Sequence, residues 1–225
     1  MRVIFAEARA LDKVKIRKDD IRKLPERVGL FTTVQFIGQL REIIKEIEKS
    51  GRMVILSKGK HSLYEGQILG CDAAPPKGVD AHLYIGMGLF HPLGIALKTD
   101  QPVFILDPES GRISRLENSV VEREKKRRKA AVLKFLSAKK LGILVSIKPG
   151  QFLLERALSL KRDLEGEGKK VYVLLFDTLD FSELEDFPFI ECFLNLACPR
   201  IAEDFERFRK PIVNYEDIAL YLKGK

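Results

Sequence analysis

The sequence predicts an α/β fold of two tandem related domains. Each has a parallel central sheet flanked by helices, with a ligand site at strand carboxyl ends between the domains. Three observations point there: a strand–helix–strand pattern written twice, apolar runs that are continuous rather than alternating, and the composition of an ordinary globular chain. Continuous runs mark strands covered on both faces, which is the habit of parallel sheets.

Residues 27–56 and 140–175 can be laid over each other, Gly29 against Gly142 at an offset of 113 residues. The first copy opens with Val28-Gly29-Leu30-Phe31-Thr32-Thr33-Val34-Gln35, a run of strand length closing in a polar turn. An amphipathic stretch at 39–49 follows, then the stop Ser50-Gly51-Arg52 and the second run Met53-Val54-Ile55-Leu56. The second copy opens with Leu141-Gly142-Ile143-Leu144-Val145-Ser146-Ile147 and turns at Lys148-Pro149-Gly150-Gln151. Its helical stretch covers 152–164, Gly168-Lys169-Lys170 stops it, and 171–176 is the next strand. Each copy then reaches an apolar stretch that brings a cysteine to a turn: Tyr64-Glu65-Gly66-Gln67-Ile68-Leu69-Gly70-Cys71 in the first, Phe193-Leu194-Asn195-Leu196-Ala197-Cys198-Pro199-Arg200 in the second. The two cysteines read as equivalent positions. Further strands are expected at 81–85, 103–106 and 212–213, with Asp107-Pro108-Glu109-Ser110-Gly111 as a turn. The domains then span 20–115 and 138–225, joined by a basic helix over 116–137, with Ser119-Val120-Val121-Glu122 as its capping box.

The 225 residues are 45% hydrophobic and 32% charged, which is globular rather than disordered. Three cysteines form no disulfide framework, and no signal peptide opens the chain, so a cytoplasmic, reducing environment is expected. Residues 81–97 carry no formal charge but hold His82, His91, Pro92 and three glycines, so no membrane span is expected. A net charge of +8 favours an acidic partner. The basic run Arg123-Glu124-Lys125-Lys126-Arg127-Arg128-Lys129 reads first as a solvated helix face. It lacks the interleaved aromatics of single-strand nucleic-acid binders, so nucleic acid is not favoured.

No Walker loop, GxGxxG, HExxH or GxSxG occurs, and Ile85-Gly86-Met87-Gly88 supplies only a G-x-G after a strand. His61, His82 and His91 have no zinc spacing. Cys192 and Cys198 lie six residues apart on one extended run, so their α-carbons can be ~20 Å apart at ~3.3 Å per residue. Cys192 therefore reads as a buried small hydrophobe. Cys71 and Cys198, each after an apolar run, suit an iron–sulfur cluster or a metal, although two thiolates are fewer than either usually needs.

The motifs Thr32-Thr33-Val34-Gln35, Gly66-Gln67-Ile68-Leu69-Gly70-Cys71, Phe90-His91-Pro92-Leu93-Gly94, Leu106-Asp107-Pro108, Lys148-Pro149-Gly150-Gln151 and Ala197-Cys198-Pro199-Arg200-Ile201-Ala202 occur in that order. As a set they resemble the archaeal first-step enzymes of diphthamide synthesis, the 2-(3-amino-3-carboxypropyl)histidine synthases, over nearly the whole chain. The resemblance implies a noncanonical radical enzyme built from three related domains. A 4Fe-4S cluster held by one cysteine from each domain cleaves S-adenosylmethionine, and the 3-amino-3-carboxypropyl group goes to a histidine ring carbon of elongation factor 2. On this match Cys71 is the middle-domain ligand and Cys198 the third-domain ligand. Gln67, Gly70, His91, Lys148, Gly150, Gln151 and Arg200 form the cofactor-binding set, with Lys148, Gln151 and Arg200 facing carboxylate, adenine or ribose groups.

The family's leading domain and its cysteine have no counterpart in the sequence. Residues 1–19 resemble only the final strand of that domain and a linker. Three readings stay open: a split enzyme whose missing domain and third cysteine come from a partner protein or a second copy; a non-catalytic paralogue serving assembly or electron delivery; and a basic α/β module binding nucleotide or nucleic acid.

Overall fold

The computed structural model describes Ile4, residues 6–202 and residues 208–223. The strand expected within residues 1–19 lies partly outside the described residues, and the described positions before Lys18 carry no regular structure. In chain order the elements are α1 (Lys18–Ile21), β1 (Arg27–Thr32), α2 (Leu40–Glu48), β2 (Met53–Ile55), β3 (Ala81–Ile85), α3 (Phe90–Ala96), β4 (Val103–Leu106), β5 (Ile113–Arg115) and α4 (Asn118–Ser137). There follow β6 (Lys140–Ser146), α5 (Leu154–Gly166), β7 (Lys170–Phe176), β8 (Cys192–Asn195), β9 (Ile212–Asn214) and α6 (Tyr215–Lys223). The chain divides into two compact units, Met1–Glu122 and Arg123–Lys225, with the boundary inside α4.

Among the described residues the first unit holds a sheet ordered β2-β1-β3-β4-β5 and the second a sheet ordered β7-β6-β8-β9. All pairings are parallel except β4 with β5. The repeat thus extends to four strands with one order, since β2-β1-β3-β4 and β7-β6-β8-β9 match position for position. The first helix of each repeat packs by the spacing the sequence shows. Leu40, Ile43 and Ile47 of α2, and Ala157, Leu160 and Leu164 of α5, are the buried faces. Past each helix the chain turns at a glycine with positive φ, Gly51 at 80° and Gly168 at 83°, where a side chain would be strained.

Both sheets are covered on two faces. In the first unit Val28, Leu30, Leu83 and Ile85 meet α2 on one side, while Phe31, Tyr84 and Val103 meet Ile95 of α3 on the other. In the second unit Leu141, Ile143 and Leu194 pack against α5 and Phe135 of α4, and Leu144 and Phe193 face Leu184 and Ile190. The paired glycines of the repeat now have a reason. Gly29 stands opposite His82 and Gly142 opposite Phe193 in the strand registers. A Cβ at Gly29 would come within 2.6 Å of the His82 ring and at Gly142 within 2.7 Å of the Phe193 ring. Each first strand leaves room for an aromatic ring on its neighbour.

Two sequence expectations fail here. The run from Tyr64 to Cys71 is not a strand equivalent to β8: it touches the sheet through a single bridge, Gln67 to Thr32. The counterpart of β8 is β3, so Cys71 precedes its third strand whereas Cys198 follows, and the two cysteines are not equivalent in the repeat. Nor does Ser119 cap α4, which begins at Asn118; its hydroxyl donates instead to the Glu117 carboxylate, 3.2 Å away.

Candidate functional site

In each sheet the chain leaves the first strand toward one side and the third strand toward the other. The carboxyl ends of β1 and β3, and of β6 and β8, are therefore switch points, where parallel sheets open a crevice. In the first unit the segment 66–68 settles on β1 just past the end of β2: the Thr32 amide donates to the Gly66 carbonyl and the Ile68 amide to the Thr32 carbonyl, both at 2.8 Å. The Thr32 hydroxyl, fully buried, donates to the Ile85 carbonyl of β3 at 3.0 Å.

The loop that carries Cys71 has its own polar frame. Gln67 is buried, and its amide oxygen accepts from the Leu63 and Tyr64 amides at 2.8 and 3.1 Å. Asp72 accepts from the His61 amide at 2.6 Å and from Ser62, whose hydroxyl also reaches the Gln67 carbonyl at 3.0 Å. Gly70 lies under the Phe90 ring, so close that a Cβ would be 2.5 Å from it. Cys71, next in the chain, is exposed. His91 stacks on Tyr84 with ring centroids 5.4 Å apart, and the Tyr84 hydroxyl lies 3.2 Å from its Nδ1. Burial pushes Tyr84 up to about 12, so its hydroxyl keeps its proton and can donate to Nδ1.

In the second unit the predicted residues fall on two loops, one after β6 and one after β8. Lys148 and Gly150 are exposed at the end of β6, where the Lys148 amide donates to the Ser146 hydroxyl at 3.2 Å and the Gln151 amide closes the turn on the Lys148 carbonyl at 3.0 Å. Cys198, half-buried, and Arg200, exposed, follow β8. The β8 turn hangs on two buried asparagines that sequence reading passed over. Asn195 donates to the Cys198 carbonyl at 2.9 Å and to the Asn214 side chain at 2.8 Å, and accepts from the Ala197 amide at 3.0 Å. Asn214, its register partner on β9, donates to the Pro199 carbonyl at 3.1 Å. A polar residue closing the apolar run Phe193-Leu194-Asn195 was the available signal.

Cys192 is at the opposite, amino end of β8 and fully buried; burial pushes its thiol up to about 12. Its side chain packs in the core with Leu141 and Leu194, as a small buried hydrophobe does. Among the described residues no three His, Cys, Asp or Glu side chains are grouped to hold a metal ion. The basic run divides: Arg123, Lys125, Lys126 and Lys129 are exposed as expected, while Glu124 pairs with Arg127 and Arg128 at 2.7 and 2.8 Å, Arg128 reaches Asp217 of α6, and Arg127 donates to the Ala202 carbonyl at 2.6 Å. Among the described residues, no helix is long and apolar enough to cross a membrane.

A family model described as "Putative diphthamide synthesis protein" matches residues 2–225. The chain belongs to that diphthamide synthesis family. It is 33% identical over 222 residues to a 2-(3-amino-3-carboxypropyl)histidine synthase of Pyrococcus horikoshii, covering 97% of this chain and 64% of that one. It is 28% identical over 221 residues to the synthase of Methanocaldococcus jannaschii, covering 97% and 58%. The crystal structure of Dph2 from Pyrococcus horikoshii with a 4Fe-4S cluster superposes with a TM-score of 0.78 at 32% identity, over 92% of this chain and 60% of that one. The chain therefore spans about three-fifths of the length of these archaeal relatives.

Proposed function

We propose that this chain supplies two thiolate ligands, Cys71 and Cys198, to a 4Fe-4S cluster that cleaves S-adenosylmethionine, and that the 3-amino-3-carboxypropyl group so released is transferred to a histidine of elongation factor 2. The observation that carries the reading is that the two accessible cysteines lie at the switch points of two sheets of one topology, while the third is buried at the far end of β8. The donor set fits the cluster in chemistry and falls short in number, because cuboidal clusters usually take more than two protein thiolates. The remaining ligand then comes from outside these 225 residues.

When bound, the cluster supplies the electron that breaks a carbon–sulfur bond of the sulfonium. The chain's own residues bind and orient. Arg200 and Lys148, exposed on neighbouring loops of the second unit, meet the carboxylate, for which an Arg fork is the strongest partner. The amides of the 148–151 turn, with Gln151, suit adenine or ribose. Gln67 acts indirectly, since its amide oxygen is committed to the loop, and Gly70 admits the Phe90 ring beside Cys71. His91 stacks on Tyr84 next to Phe90 and so helps shape the wall beside Cys71. The pairing of Arg127 and Arg128 within the second unit argues against the nucleic-acid reading.

The test is anaerobic reconstitution with iron and sulfide, with a small-molecule thiol present to complete the ligand set, followed by absorbance, electron paramagnetic resonance and iron counts. Cys71→Ala and Cys198→Ala should each lose the chromophore, and Cys192→Ala should keep it. Full iron content in either of the first two, or a native chain that takes up no more iron than the double variant, rejects the assignment. A native chain that binds the cluster but leaves S-adenosylmethionine intact with every partner would instead support the assembly or electron-delivery reading.

A further inference from the structure

The Cys71 loop runs from the end of β2 to the start of β3 without a helix or strand of its own. Irregular segments of that length within compact units are uncommon and usually functional, and they need pins. Most pins here come from within the loop. Others come from outside it: Thr32 of β1 bonds residues 66 and 68, and Lys98 donates to the Ala73 carbonyl at 3.2 Å. A further one comes from residues 7–17, which carry no regular structure and are tied to residues just past the carboxyl ends of β1 and β4. That strap is tied down along its length. The Ala10 amide donates to the Gln35 carbonyl at 2.8 Å, Gln39 brackets the strap by accepting from the Val14 amide and donating to the Asp12 carbonyl, both at 2.8 Å, and the Lys15 and Arg17 amides reach the Pro108 and Gly111 carbonyls at 3.0 Å.

At the front of the strap Glu7 and Arg9 close on Tyr64. The Tyr64 hydroxyl donates to Glu7 Oε1 at 2.7 Å, Arg9 pairs with the other Glu7 oxygen at 2.6 Å, and the Arg9 guanidinium lies 5.7 Å from the Tyr64 ring centroid. The Tyr64 hydroxyl, followed by the guanidinium, holds the Glu7 carboxyl below its ordinary range. Glu7 and Arg9 side chains are 31% and 48% exposed, so the cluster lies outside the core and buries little. Its effect is local. From Tyr64 the constraint passes to Gln67, which accepts from the Tyr64 amide and itself donates its amide to the Tyr64 carbonyl at 3.2 Å. Ser62 carries it on to Asp72 and the turn that presents Cys71.

We propose that Tyr64, clamped by Glu7 and Arg9, is a positioning residue that presents Cys71 in ligand geometry. This rests on the reading of Cys71 as a cluster ligand. The clamp makes the strap part of the site's framework, although neither strap residue reaches a cysteine.

The experiment compares Tyr64→Phe, Glu7→Ala and Glu7→Gln with the native chain by amide hydrogen exchange on the metal-free protein, and by the rate of iron loss to a chelator after reconstitution. Glutamine at position 7 keeps an acceptor for the Tyr64 hydroxyl and serves as the conservative rescue. Tyr64→Phe and Glu7→Ala should speed exchange of the 61–72 segment about threefold to tenfold, the order expected for one hydrogen bond whose charge is screened by solvent. Exchange in β6 should not change. Iron loss should quicken in the same two variants and return toward native in Glu7→Gln. Unchanged loop exchange overturns the proposal, as does faster exchange with unchanged iron loss, which would make the clamp purely structural. A native chain that binds no iron overturns the ligand reading and the positioning role together, whereas a native chain that binds iron with unaffected variants overturns the positioning role only.

Discussion

Asn195→Asp is a one-atom change that probes the seat of Cys198. The native amide nitrogen gives two hydrogen bonds, to the Cys198 carbonyl at 2.9 Å and to Asn214 Oδ1 at 2.8 Å, from a side chain only 2% exposed. An ionised aspartate keeps the acceptor facing the Ala197 amide but turns the donor into a second acceptor, set against two oxygens. Rotating the Asn214 amide can satisfy one of them, at the expense of its 3.1 Å bond to the Pro199 carbonyl. At least one buried carbonyl is then left unpaired beside a buried charge, at a cost of about 2–3 kcal/mol. For a unit of roughly one hundred residues each kcal/mol lowers the melting temperature by about 4–8 °C, so the second unit should melt about 10–20 °C early. Protonating the new carboxyl restores a donor, so the deficit should be smaller at pH 5 than at pH 8. Thermal denaturation followed by circular dichroism at both pH values decides it. A variant melting within 2 °C of native at pH 8 would refute the claim that the asparagine pair holds the turn.

Two further outcomes follow from the packing. Gly142→Ala places a Cβ 2.7 Å from the Phe193 ring between two buried strands and should cost about 1–3 kcal/mol in urea unfolding, recovered in part by adding Phe193→Leu; equal stability of the single variant would show that the ring has room to move. Burial without a partner for Nδ1 pushes His82 down to about 4 from an ordinary 6.5, so the unfolded chain takes up a proton first as pH falls. The native chain should therefore lose at most about 3 kcal/mol between pH 6.5 and pH 4, with no contribution from this group above that window. The loss is read as the difference from His82→Leu in urea titrations, and parallel curves for the two proteins would count against it.

The twofold βαβ pattern was legible because each copy pairs a continuous apolar run with a helix stopped at a glycine, and those signals are local. The remaining elements were harder to read for stated reasons. α3 holds Pro92 and Gly94 within seven residues, and β5 has three residues of which two are exposed. The Tyr64 to Cys71 run looked like a strand because Ile68 and Leu69 are apolar, yet glycines at 66 and 70 break it, and Gly66 takes a φ of 75°. Its burial comes from lying across the end of β1, a relation that periodicity does not encode. The asparagine pair depends on β8 and β9 being neighbours, and the reach of Arg128 to Asp217 depends on where α6 returns; both are facts of topology, whereas the Glu124 pairs with Arg127 and Arg128 follow helical spacing.

The two units bring a cysteine to the same kind of sheet edge by different means. In the second, Cys198 follows β8 within a few residues and hangs from buried amides that belong to the sheet itself, so its position is as firm as the pairing of β8 with β9. In the first, Cys71 rides a loop inserted before β3, framed by Gln67 and Asp72 and clamped at its outer end by exposed side chains of the strap. Polar contacts at the surface cost little to break, whereas a buried amide left unpaired is expensive. On the proposed reading of both cysteines as ligands, conformational adjustment should therefore fall mainly on the Cys71 loop, the Cys198 turn being the firmer of the two. This division gives a physical reason for the repeat to keep its strand order while giving up the equivalence of its cysteines.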